Sequence, residues 1–424
     1  MTVNALIALA IFVTTFYFIV SGKVDRSIAS FAGALVMVVT GVTLGFYSQE
    51  EAFRAIDFNM MGLLAGMMVI VGVCKKTGIF SYLAVRAAKA SGGSPLRLMI
   101  MMGLITAFLS MLLDNVTTII LVIPITVLIC DILGISPLAI IVTEIALSNI
   151  GGVGTMVGDP PNMMIASAAD FTFNDFLVHL MPIVIAAMAV SILTLTVIFR
   201  KDVLVKPRDF GPIMDIDEKA AIRDSKGLKR TVFSLTVVFV LFFLQKMLGW
   251  HHSFIALIGA GIVLALVRPD IGEVLSEIEW PIFVFFGSLF ILVGGLEKTG
   301  LLTIVAEKIA SLANVNYLMA KFSILWASAG FASLVDRVPF TTAMIPIIEH
   351  MGKTGLNIEP LWWILALGVG FGGNGTPIGS IVGVVGLSMS EKTQSPIDFK
   401  IWLKTATVVM LITVIFVSLL IFIT

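Results

Sequence analysis

Two short polar runs interrupt long stretches of apolar sequence. The first reads Asp114-Asn115-Val116-Thr117-Thr118 and the second Asp336-Arg337-Val338-Pro339-Phe340-Thr341-Thr342. Ionisable side chains in such surroundings are costly and mark an ion or substrate path by default. Asp is also a good N-cap, and Pro339 suits a first helical turn. Each aspartate can therefore cap the helix after it and still carry a proton or ion. Two further runs are rich in glycine. One is Ser148-Asn149-Ile150-Gly151-Gly152-Val153-Gly154-Thr155-Met156-Val157-Gly158-Asp159-Pro160-Pro161-Asn162; the other is Gly372-Gly373-Asn374-Gly375-Thr376-Pro377-Ile378-Gly379-Ser380. Neither can continue as regular helix. Unwound backbone is tolerated at membrane depth only where protein, water or a ligand satisfies it. Half-helix N-termini attract anionic or electron-rich oxygen, and C-termini attract cations.

The chemistry that these residue types suit is reversible binding of a small oxygen-bearing solute, with carboxyls to carry charge. Candidate substrate ligands at the tips are Asn115, Thr117, Thr118, Thr341 and Thr342. At the breaks they are Ser148, Asn149, Gly151, Gly152, Gly154, Thr155, Asn162, Gly373, Asn374, Gly375, Thr376 and Ser380. Candidates for proton or ion coupling are Asp114, Asp159, Asp336, Arg337 and Glu144. Glu144 lies in the apolar run before the first break, where it either carries a proton or pairs with a polar neighbour.

Other chemistries find no residues. The four histidines form no HExxH, and the sequence contains no GxxxxGK. Cys74 and Cys130 have no metal-ligand spacing and read as small buried residues. No nucleophile–base pair is visible, so no enzyme, metal or cofactor is expected. Basic and acidic residues balance at 27 each, which gives no reason to expect a nucleic-acid partner.

The elements that must position these runs are membrane helices. Hydrophobic residues make up 58% of the 424 and charged ones 13%, against about 25% charged in a soluble protein. A spanning helix needs about 20 apolar residues. Uninterrupted candidates are 2–20, 27–46, 58–74, 176–199, 229–248, 253–267, 280–296 and 400–423; two more, 137–169 and 360–390, are broken by the glycine runs. The tips lie between paired apolar arms, 96–133 and 318–351, which read as re-entrant hairpins. The N-terminal run, Val3 to Val20, has no preceding basic residue and reads as a retained crossing rather than a signal peptide. An outside N-terminus places Lys23, Arg26, Lys75, Lys76, Arg86, Lys89 and Arg97 inside, together with the nine basic residues of loop 200–230.

The chain also repeats itself. Asp336 lies 222 residues after Asp114, Pro346 after Pro124, and Lys298-Thr299-Gly300 after Lys76-Thr77-Gly78. The second glycine run follows the first by 221. Each repeat holds five crossings and a hairpin; five is odd, so the second repeat is expected upside down. The expected fold is an all-α polytopic membrane protein with inverted five-crossing repeats, ten transmembrane helices, two re-entrant hairpins and two broken helices. Residues 1–199 form the first repeat, 200–228 a cytoplasmic linker and 229–424 the second repeat.

At these breaks the chain resembles the arsenite permease and sodium–proton antiporter (ArsB/NhaD) group of the ion transporter superfamily. The carrying residues are DNVTTIILVIPIT (114–126), SNIGGVGTMVGDPPNMMI (148–165), VDRVPFTTAMIP (335–346) and GGNGTPIGS (372–380). The resemblance implies a site between hairpin tips and unwound loops in a bacterial inner-membrane protein. Sodium–proton members tend to carry Asp-Asn at both tips, whereas this chain has Asp336-Arg337; it also has Gly383 opposite Asn162. A fixed guanidinium repels a nearby cation. The expectation is therefore export of arsenite or antimonite as the neutral trihydroxide, in exchange for protons. Two cysteines cannot form a three-thiolate chelate, so recognition would run through oxygen. The alternatives are a sodium–proton antiporter, or a transporter of an inorganic or carboxylate anion with Arg337 as charge partner. A homodimer, and a cytosolic ATPase subunit docked on the linker, stay open as partners beside the lipid bilayer.

Overall fold

A computed structural model describes residues 2–21, 23–205, 214, 217–393 and 395–423, the side chain of Ile423 aside. Lys206, Pro207, Arg208, Gly211 and Pro212 of the linker lie outside the described residues. Eighteen principal helices fall into two series of nine. The first is α1 (Val3–Ser21), α2 (Arg26–Leu44), α3 (Phe58–Lys76), α4 (Ile79–Ala90), α5 (Pro95–Leu112), α6 (Asn115–Leu133), α7 (Leu138–Gly152), α8 (Pro160–Ala169) and α9 (Met181–Ile198). The second is α10 (Ser225–Phe243), α11 (His252–Val267), α12 (Trp280–Lys298), α13 (Leu301–Val315), α14 (Tyr317–Leu334), α15 (Arg337–Lys353), α16 (Glu359–Gly372), α17 (Ile381–Ser390) and α18 (Ala406–Ile423). Helices α12 to α15 each begin 222 residues after α3 to α6, and α16 and α17 begin 221 after α7 and α8.

Nine helices among the described residues are long and apolar enough to cross a membrane. The molecule is a multi-pass membrane protein. Both arms of the first tip, α5 and α6, are among the nine, as is α14. Helices α4 and α13 add to the expected picture: the stretches after Lys76 and Lys298, which carry no expected crossing or hairpin, form amphipathic helices. Their apolar residues recur at helical spacing but are too diluted by polar ones to register as a crossing. Two expected crossings are also bent near one end. The 176–199 run divides at Leu180, before Pro182, and the 400–423 run divides at Thr405.

The helix starts follow local sequence. Asp25, Asp57, Ser94, Asp114, Asn316, Asp336 and Ser380 each accept a backbone N–H at the start of the helix they precede. Such caps satisfy donors that the helix itself leaves orphaned. Helices α7 and α16 occupy the centre, with every residue from Ala139 to Gly152 and from Leu361 to Gly372 buried. Helix α7 carries Thr143, Glu144, Ser148 and Asn149, which a membrane helix has to bury against protein, and it does.

Packing between the series is reciprocal. Helix α3 packs on α11 as α12 packs on α2; α6 meets α17 as α15 meets α8; α7 meets α17 as α16 meets α8. Ion pairs follow the same exchange: Lys76 pairs with Glu273, and Lys298 pairs with Glu51 (2.5 and 2.7 Å). The linker is not simply solvated. Its Glu218 pairs with Lys89 on α4, and Arg223 N–H donates to Thr77 O at 3.0 Å.

Candidate functional site

The two tips and the first break meet at one small cavity of about 50 Å³. Asp114, Asn115, Asp159, Asp336 and Arg337 all line it, together with Arg26. Apolar walls come from Leu64, Met68, Ile282 and Phe286 on α3 and α12. A second cavity of about 230 Å³ shares Asp114 and Met68 with the first and is lined by Lys75, Glu277 and Glu279.

Asp159 and Arg337 form the centre. Their side chains are 1% and 7% exposed, and Arg337 Nη1 lies 2.7 Å from Asp159 Oδ2. The contact is electrostatic rather than aligned: neither Asp159 oxygen nor Arg337 Nη1 makes a hydrogen bond. Local sequence explains this for Asp159. It occupies the N-cap of α8, where a carboxylate normally collects backbone N–H groups, but Pro160 and Pro161 have none to give. The next free amide, Asn162 N–H, is used by the Asp159 carbonyl at 3.0 Å. Buried carboxylates are usually well hydrogen-bonded, so this one depends on the guanidinium for its stability.

Arg337 also meets its own counterpart. With the Asn115 amide donating to Gly158 O at 2.8 Å, Asn115 Oδ1 accepts from Arg337 Nη2 at 3.0 Å. Missing side chains make room for both. A Cβ on Gly152 would stand 2.4 Å from the Asn115 amide, and one on Gly373 would stand 3.4 Å from Arg337 Nη1. The breaks are seated on helices α5 and α14 by the same means, since a Cβ on Gly158 or Gly379 would lie 2.6 Å from Ser110 O or 2.5 Å from Ala332 O.

Most of the other candidate ligands are already occupied. Asn162 Nδ2 donates to Gly152 O, Val153 O and Thr155 O, which holds the first loop in shape. Asn149 Nδ2 donates to Asn374 Oδ1 (2.8 Å) and Ser380 Oγ (3.2 Å), so these three lock the two breaks to one another. Thr155 donates to Met111 O and Thr376 to Ser333 O, both at 2.5 Å. The Thr118, Thr341 and Thr342 hydroxyls donate to carbonyls of their own helix start. Ser148 accepts from Ser110 at its carbonyl, and Thr117 N–H caps on Asp114. Gly151 packs against Ala107, Gly154 against Met181, and the Gly375 carbonyl accepts from Thr407. Glu144 does not line the cavity. It accepts from Thr126 on α6, and its second oxygen has no hydrogen-bond partner.

A family model described as citrate transporter (CitMHS) matches residues 16–368, most of the chain. The chain belongs to the citrate transporter family. The arsenite-permease branch expected from the sequence is not the family matched. Several mycobacterial relatives are described as transporters. An uncharacterized transporter of Mycobacterium tuberculosis is 39% identical over 93% of this chain and 92% of its own length. The human P protein is 28% identical over 91% of this chain and 56% of its own length. Among solved structures, the YdaH transporter of Alcanivorax borkumensis superposes with a TM-score of 0.63 at 17% identity, covering 90% of this chain and 88% of that one. It shares the all-helical fold.

Within this citrate transporter family member, one charged residue of the cavity is not among the site candidates the sequence offers. The charge distribution reads Arg26 only as an inside-face charge, yet it opens α2 and its Nη1 lies 3.1 Å from Asp336 Oδ2. The Phe285 ring lies 5.2 Å beneath its guanidinium. The available signal was its place in the first turn of an apolar helix, directly after the capping Asp25.

Proposed function

We propose that this protein is a proton-coupled secondary transporter of a small anion, a carboxylate or an inorganic oxyanion, with Arg337 as its charge partner. The observation that carries the reading is the ion pair between buried Arg337 and a buried Asp159 that no hydrogen bond holds. A guanidinium is the side chain best suited to a carboxylate or oxyanion. In the substrate-free state Asp159 takes the place of that ligand. An arriving anion displaces it, and a displaced buried carboxylate must then take up a proton. Anion and proton therefore bind together. The formal charge of the cavity supports the same coupling: two guanidiniums, Arg26 and Arg337, face three carboxyls, Asp114, Asp159 and Asp336. An anion entering without a proton would add to an existing excess of negative charge.

The family description, citrate transporter, names a carboxylate. Neither the family nor the relatives named above point to arsenite, and Arg337 disfavours sodium at the centre. Alternating access would follow from two inverted repeats, with 96–133 and 318–351 re-entering as hairpins; the reciprocal helix packing supports that arrangement. Gradient-driven symport of this kind calls on no ATPase subunit.

The test uses proteoliposomes with an imposed pH gradient and a panel of citrate, succinate, phosphate, arsenite and sodium. Uptake of an anion from the acidic side, abolished by Arg337→Asn, is expected. Transport of arsenite or sodium alone would sink the reading.

A further inference from the structure

The cavity holds a second guanidinium that is also paired with a carboxylate, here through a hydrogen bond and with more exposure. Arg337 is occupied by Asp159, and Arg26 by Asp336. The two arginines come from different parts of the molecule. Arg26 belongs to α2, which packs on α12 and α1; Arg337 opens α15 behind the second tip. Asp336 divides its two oxygens between roles, with Oδ1 accepting from Val338 N–H at 3.0 Å and Oδ2 facing Arg26. Releasing Arg26 therefore leaves the cap intact. Phe285 supports the guanidinium from beneath, so it keeps its position when Asp336 is withdrawn. At about 50 Å³ the cavity has room for water but not for a multi-carbon acid, so binding requires these internal pairs to part.

We propose that Arg26 is a second anion anchor, so that Arg26 and Arg337 together select substrates carrying two or more carboxylates over those carrying one. This rests on the anion-transporter reading above and adds a residue and a specificity to it. Each carboxylate of the substrate takes over one arginine, and Asp159 and Asp336 each give one up. A monocarboxylate satisfies Arg337 and leaves the Arg26–Asp336 pair closed. The proposal makes the arginine at the start of α2 a counter of substrate charges.

The experiment measures binding of acetate, succinate and citrate to purified protein by calorimetry, in wild type, Arg26→Gln and Asp336→Asn. In Arg26→Gln the ratio of succinate to acetate affinity is expected to fall about tenfold, the scale of one charge-assisted contact. In Asp336→Asn the same ratio rises, because Arg26 has lost its internal competitor. An Arg26 that only latches α2 to the tip predicts equal changes for acetate and succinate, and that result overturns the proposal. So does an unchanged ratio. If Arg26→Gln does not fold, Asp336→Asn decides alone: an unchanged or reduced ratio overturns it. Wild-type protein that binds none of the three overturns the anion reading itself, whereas a ratio indifferent to Arg26 leaves that reading standing.

Discussion

The two breaks are built alike and charged differently. In the first half, the N-cap of the helix after the break is Asp159; its counterpart in the second half, 221 residues on, is Ser380. Ser380 is satisfied, accepting from Gly383 N–H at 3.1 Å and from Asn149. Asp159 is not. The residues after the tip aspartates differ in the opposite sense, Asn115 being neutral and Arg337 cationic. Each half has thus exchanged one neutral group for a charge of opposite sign, and the two charges face each other. The symmetric skeleton supplies the cavity, and the departure from symmetry supplies a single buried ion pair within it.

Restoring symmetry should therefore have the largest effect. Arg337→Asn gives the second half the tip of the first and strands Asp159 without its cation. Breaking a buried pair from one side costs about 3–5 kcal/mol. A large fall in the unfolding midpoint of purified protein and complete loss of anion uptake are expected. Adding Asp159→Ser makes both halves neutral. The double variant should recover most of the stability and none of the transport. Stability that stays low in the double variant would show that the pair is not the source of the loss.

Asp159→Asn separates coupling from recognition. On the proposed mechanism anion binding takes up one proton, so wild-type affinity should strengthen as pH falls, by up to about tenfold per unit. The amide cannot take up a proton, and the slope of log Kd against pH should flatten while Arg337 still binds anions. A slope that survives in Asp159→Asn would move the proton to Asp114, Asp336 or Glu144.

The parts that local chemistry dictates were legible in the sequence. Glycine, proline and aspartate declare where a helix must stop, and the four polar runs coincide with helix ends in the structure. What those side chains do is set by partners far away in the chain. Asn149, Asn374 and Ser380 look like ligands in sequence and act as a clasp between breaks, because each finds its partners on the opposite half. Thr118, Thr341 and Thr342 look equally free, but a hydroxyl one turn after a carbonyl bonds back to it. Arg26 was hidden for another reason. A basic residue at the edge of an apolar helix is the ordinary mark of the membrane face, and only packing shows that this one points inward.

The close seating of the breaks gives a smaller and more local test. Gly152→Ala places a Cβ 2.4 Å from the Asn115 amide, which is itself bound to Arg337. Overpacking of this kind costs about 1–3 kcal/mol. The loss should be accompanied by weakened anion binding, since Asn115 positions the guanidinium. Gly330→Ala, on α14, where a Cβ meets nothing within 4 Å, serves as the matched control and should leave both unchanged or slightly improve stability.

The smallest effect is expected where the two halves agree. Lys298 and Glu51 repeat the pairing of Lys76 and Glu273, and both pairs are exposed enough for solvent to screen them. Lys298 bonds the Glu51 carboxylate and, with the Ser48 N–H and hydroxyl, lowers its pKa from 4.5 to about 2. A lowered folded-state pKa stabilises the fold at pH above the unfolded value, and the gain is lost as pH falls from about 4.5 through about 2. Lys298→Gln should therefore reduce the unfolding midpoint slightly at neutral pH and not at all below pH 2, with the difference shrinking as salt is added. Removing Lys76 as well should add its own small increment, because the two pairs share no residue. If one substitution made the other markedly worse, the two pairs would be coupled, and they would form one device joining the halves instead of two independent surface contacts.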